Sequence, residues 1–105
     1  MFLHDDIIFD IMNREKLDKL RKRVEEFRKK GGIGTSELES LARSLGRVLS
    51  KKRGKEPTWV NQRFTDLRPL SIPRHGSKDL NKYTANSILD QLEFDIDKFE
   101  KLIEE

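Results

Sequence analysis

The chain has 105 residues, no cysteine, and a net charge of +3 from 22 Lys/Arg and 19 Asp/Glu. That length holds one small domain, the missing cysteines exclude a disulfide scaffold and any Cys-type zinc site, and no apolar run approaches the roughly 20 residues of a membrane span. Apolar residues make up 34% of the chain against 39% charged, so the core is lean.

The opening MFLHDDIIFDIM carries acids where a secretion signal carries cations, so a soluble cytoplasmic protein is expected. Residues 5–30 are predicted helical. Leu17, Leu20, Val24 and Phe27 recur as a narrow heptad-type stripe. The stripe loses phase across 13–16, so Asn13 is expected to cap a separate helix. Gly31-Gly32 ends it. This arm either packs on its own domain or recruits a partner, and the first is favoured.

Thr35-Ser36 opens the next helix, with Ser36 and Glu39 spaced as a capping box. Leu38, Leu41, Ala42 and Leu45 share one face, and Gly46 closes the helix. Three short strands are predicted at 47–52, 58–60 and 68–73, the last flanked by Pro69 and Pro73 and so short or at an edge. A loop over 75–80 leads to a long helix from about Asn81. Its inner stripe is Ala85, Ile88, Leu89, Leu92, Ile96, Phe99 and Ile103. Its outer face is expected to be Asp90, Glu93, Asp95, Asp97 and Glu100. The fold class is therefore α+β, a small α-β-β-β-α layer of the double-stranded-RNA-binding type with a three-stranded antiparallel sheet. Residues 1–32 form an N-terminal helical extension and 33–105 the main domain.

Between Arg43 and Lys82, eleven cations stand against three acids, an electrostatic footprint for phosphate. Folds of this layer type read duplex RNA by shape and by phosphate contacts. Arg47, Lys51, Lys52, Arg53, Lys55, Arg68, Arg74 and Lys78 are the candidate RNA-binding residues, on the open sheet face and the loops. His75 titrates near neutral pH without help, and its cationic neighbours hold its pKa down. It is either a base for a ribose 2′-hydroxyl or a backbone-bonded residue at a strand end. Glu56 is either a general base or an ion-pair partner of Arg53 or Lys55. Trp59 is read as core rather than a base-stacking platform. No metal-ligand spacing appears, and no cofactor is expected.

Residues 70–92, L-S-I-P-R-H-G-S-K-D-L-N-K-Y-T-A-N-S-I-L-D-Q-L, carry a strand ending in Pro-x-His, then Lys-Asp-Leu, then a Thr-initiated helix with Ile-Leu in its first turns. With the helix at 35–45, Gly46 and Gly54, this resembles the HicA toxin family over about residues 35–99. The resemblance implies a toxin that binds or cleaves mRNA and is silenced by a HicB-type antitoxin. It also implies a catalytic histidine in a Gly-Ser-His pattern. Here the matching residues are Gly54, Lys55 and Glu56, so Glu56 stands where the histidine is expected. Either Glu56 and His75 carry the chemistry together, as a metal-independent endoribonuclease, or the protein binds RNA without cutting it. A reading from a different class is a protein-interaction module that recruits a partner through its helical stripes.

Overall fold

The computed structural model describes residues 12–30, 32–50, 57–73 and 79–104. Three helices and three strands follow in the order α1 (Arg14–Lys29), α2 (Thr35–Ser44), β1 (Arg47–Ser50), β2 (Thr58–Asn61), β3 (Leu70–Ser71) and α3 (Lys82–Glu104). The α+β class and the antiparallel β1-β2-β3 sheet are those the sequence predicts.

Capping fixes the helix ends. The Asn13 side chain accepts from the Lys16 amide at 2.9 Å, as expected at the start of α1. For α2 the capping box lies two residues upstream of the expected one. Gly34 is the N-cap, and its amide donates to the Glu37 carboxylate at 3.0 Å. Ser36 is exposed, so the real box uses a backbone with no side chain to offer and relies on Glu37 alone. Gly46 takes φ +89 and lets the chain turn from α2 straight into β1. Asn81 caps α3 through the Thr84 amide at 3.1 Å.

Register puts Arg47, Asn61, Trp59 and Leu70 on one face of the sheet. Both α2 and α3 pack on that face, α2 toward β1 and α3 toward β3. Trp59, Leu70 and Ile72 are buried there with Leu38, Leu41, Ala42 and Leu45 of α2. The predicted inner stripe of α3 is buried from Ala85 to Phe99, with Ile103 packed at its end. Phe64, in the β2–β3 connection, meets Phe99 edge to face at 4.8 Å between centroids.

Helix α1 packs along α3, and Leu17, Leu20, Val24 and Phe27 join the same core as the sheet. The favoured packing of the arm on its own domain is what is found. Three of its four arginines, Arg14, Arg21 and Arg28, recur every seven residues and meet acids spaced likewise on α3. Arg14 reaches Glu100 and Glu104, Arg21 reaches Asp97 and Glu100, and Arg28 reaches Asp90 and Glu93, the last two contacts at 2.7 Å. The acidic face of α3 is thus a seam rather than the expected outer face. Asp95 departs furthest, because it is fully buried.

Candidate nucleic-acid interface

Three strands of two to four residues leave little sheet surface, so the site must be assembled at an edge. Ser50 pairs with Thr58, and Thr58 with Ser71, so the end of β1, the start of β2 and the exit of β3 lie at one end of the sheet. The Ile72 amide donates to the Pro57 carbonyl at 3.3 Å. One residue on, the Thr35 hydroxyl donates to the Pro73 carbonyl at 2.8 Å, tying the start of α2 to the end of β3. The Leu80 amide donates to the Ile33 carbonyl at 2.9 Å in an isolated antiparallel bridge. Gly32, at φ +80, passes so close to Asp79 that a Cβ there would strike its carboxylate.

These anchors bracket two segments. Lys51, Lys52, Arg53, Lys55 and Glu56 fall in 51–56, and Arg74, His75 and Lys78 in 74–78. All eight lie outside the described residues. The residues that flank both segments, Ser50, Pro57, Pro73 and Asp79, are described, and they deliver the two segments from one end of the sheet, beside the first turn of α2.

Glu37 stiffens that corner. Its carboxylate accepts from Lys30 Nζ at 2.7 Å and from the Gly34 amide. The Lys30 hydrogen bond first, and the Gly34 amide second, hold its pKa below the ordinary 4.5. A lowered folded-state pKa means stability present above the unfolded value and lost as pH falls through the folded one. Glu37→Gln is therefore expected to be less stable than wild type at pH 7 by about 0.2–1 kcal/mol, the scale of a half-exposed ion pair. The gap should narrow as pH falls below 4.5 and close once Glu37 is protonated in the folded state, which paired thermal melts across pH check.

Two of the candidate cations are described, and neither joins this end. Arg47 is 2% exposed and is a core residue, not an RNA contact. Its Nε and Nη2 donate to the Asp95 carboxylate at 2.7 and 2.9 Å, and Nη1 donates to the carbonyls of Trp59 and Arg68 at 2.9 and 3.0 Å. Asn61 completes the cluster, donating to Asp95 at 3.1 Å and to the Leu45 carbonyl at 3.0 Å. A guanidinium in β1 can be buried because a carboxylate from α3 and two carbonyls accept from each of its three nitrogens. Arg68 is exposed but precedes β3, toward the Arg47–Asn61 end and away from the two segments. Nor does the open sheet face carry the expected cations. Its described residues are Val48, Ser50, Thr58, Val60 and Ser71.

Sequence reasoning passed over one residue. Arg43, in the last turn of α2, is exposed, and its guanidinium lies over the Trp59 ring at 4.9 Å from the centroid. Trp59 itself is core, as read from the sequence, at 1% exposure. Its Nε1–H is buried and finds no hydrogen-bond partner among the described residues. An Arg and a Trp sixteen positions apart, in a helix and a strand, give no sequence signal of contact. An open groove of about 500 Å³ runs along α3 past Phe94, Asp97, Lys98, Glu100, Lys101 and Glu104, between Arg21 of α1 and Leu67 of the β2–β3 connection.

Among the described residues no His, Cys, Asp or Glu cluster could hold a metal ion, and no helix is long and apolar enough to cross a membrane. Comparison with protein families finds a match over residues 35–94 to the model described as the HicA toxin of bacterial toxin-antitoxin systems. That span runs from the first residue of α2 into the middle of α3 and leaves α1 outside it. No curated protein and no solved structure matches the chain.

Proposed function

Because the chain belongs to the HicA toxin family of bacterial toxin–antitoxin systems, we propose that it is a toxin that binds mRNA and cleaves it without a metal. Its family role implies an antitoxin partner, and a HicB-like protein is the form proposed. Its place of action is the cytoplasm, where mRNA is. The observation that carries this reading is the common origin of segments 51–56 and 74–78 at one sheet end. Together they bring six cations, one histidine and one glutamate.

In the proposed reaction His75 or Glu56 takes the proton of a ribose 2′-hydroxyl. The freed oxygen attacks the adjacent phosphorus, and the other residue of the pair protonates the departing 5′-oxygen. A 2′,3′-cyclic phosphate and a free 5′-hydroxyl result. Arg74, Lys78 or Arg53 neutralises the charge that builds on the phosphorane. Lys51, Lys52, Lys55 and the more distant Arg68 hold the flanking backbone.

The test is cleavage of a labelled RNA in EDTA. His75→Ala and Glu56→Gln are each expected to lower the rate about 10²–10⁴-fold. RNA left intact at high protein excess would remove the enzyme claim. Glu56 in the family's histidine position favours a second reading, RNA binding without cleavage. It expects His75→Ala to leave affinity unchanged and Lys/Arg substitutions to lower both affinity and salt slope.

A further inference from the structure

We propose that the groove along α3 is the seat of the chain's own first eleven residues, with Ile7, Ile8 and Phe9 set against Phe94. This goes beyond the RNA reading and does not depend on it. Phe94 is 61% exposed, whereas the other described phenylalanines, Phe27, Phe64 and Phe99, lie in the core or against it. A bare ring on a helix that buries a whole stripe elsewhere is apolar surface left for something to cover. Lys98 and Lys101 follow it at i+4 and i+7, so the three share one face of α3. Leu67 lines the groove with them.

The charges of the groove are matched with one exception. Asp97 and Glu100 pair with Arg21, Glu104 with Arg14, and Lys98 with Asp66. Lys101 has no ion pair among the described residues. The groove therefore offers an aromatic ring and one unmatched cation, which suits an apolar segment that carries acids. Residues 1–11 lie outside the described residues. Their sequence, MFLHDDIIFDI, holds seven apolar residues, three aspartates and no Lys or Arg. Ile7, Ile8 and Phe9 stand together between Asp6 and Asp10, so an apolar contact with Phe94 brings an acid toward Lys101.

The point of entry agrees with that chemistry. Arg14 meets Glu100 and Glu104, so α1 begins beside the C-terminal turns of α3, which line the groove. From Glu104 back to Phe94 is ten residues of helix, about 15 Å, and eleven residues of chain span up to about 36 Å. A tethered segment also meets the groove at an effective concentration of about millimolar, which favours it over a second copy in dilute solution.

The experiment is nuclear Overhauser spectroscopy on the full chain with labelled isoleucine methyl groups. Contacts between the Phe94 ring and the methyls of Ile7 and Ile8 are expected. They should persist on dilution and be absent between labelled and unlabelled copies in a mixed sample. Phe94→Ser should move the Ile7 and Ile8 methyls to random-coil positions, while those of Ile33 and Ile72, which are buried in the core, stay in place and report an intact fold. Lys101→Glu should release part of the segment, and more so at low salt. Random-coil positions for Ile7 and Ile8 in the wild type would overturn the proposal. Contacts found only between copies would make the groove an interface between two chains and overturn the seat within one. Ordered methyls that Phe94→Ser leaves unmoved would put the segment elsewhere and overturn it as well.

Discussion

Asp95→Ala is expected to destabilise the protein by about 3–5 kcal/mol, because it strands a buried guanidinium without its counter-charge. Arg47 and Asp95 are 1% and 0% exposed at their side chains, and they share two charge-assisted hydrogen bonds. The Asn61 amide loses its second acceptor in the same variant. Arg47→Met should cost a similar amount, since it leaves a bare carboxylate and two carbonyls that had accepted from Nη1. The informative comparison is with the double variant, Arg47→Met with Asp95→Leu. Removing both charges should cost at least 2 kcal/mol less than the sum of the single effects, as the buried ions no longer need each other. Urea denaturation of the four proteins measures this. Additivity within about 0.5 kcal/mol would show that the pair is not coupled. Arg47→Lys separates the structural role from an RNA role. It should lower stability, while RNA affinity measured in the folded state stays unchanged.

Val24→Asp should be nearly as damaging, about 3 kcal/mol or more, although Val24 lies outside the span that matches the family. Val24 is fully buried between α1 and α3. A carboxylate placed there finds no partner in an apolar seam and must be desolvated or protonated. The useful readout is a pair of probes. Trp59 reports the sheet, and far-ultraviolet dichroism reports all three helices. If α1 shares a cooperative core with the rest, both transitions move together to lower urea. If α1 is a separable extension, as the division at residue 32 has it, Trp59 unfolds at its wild-type midpoint while helicity falls early. A marginal domain that loses this much is close to unfolded at rest.

Much of the fold was legible because it follows from periodicity. The stripes of α1, α2 and α3 name the buried residues almost without error, since an amphipathic helix of this length has one face to bury. Gly46 was legible for the same local reason. The misreadings lie where two distant segments decide one residue's environment. Arg47 and Asp95 each look like surface charges on their own elements, and only the packing of α3 on the sheet brings them together. The acids of α3 read as solvated until α1 supplies matching arginines from the far end of the chain. Ser36 and Glu39 satisfy the capping-box spacing, yet a glycine two residues earlier wins because Glu37 can serve both its amide and Lys30. As for the candidate site, the residue types were legible in the sequence. Their common origin at one sheet end was not, because it depends on hydrogen bonds from Pro57, Thr35 and Ile33 to partners 15 to 47 positions away.

The evenly repeated arginines of α1 have a consequence for how the two helices find their alignment. A comb of three identical teeth can slide one notch along a matching comb and still mesh. Arg14 and Arg21 displaced by one repeat would meet the acids that Arg21 and Arg28 now hold. Charge attraction therefore dictates which sides meet, but it is indifferent to the axial setting. The setting must come from the tether, since only residues 30–34 separate the end of α1 from α2, and Ile33 is itself hydrogen-bonded to Leu80. Lengthening that connection by a few residues would leave every tooth intact and still permit the comb to mesh in the wrong notch.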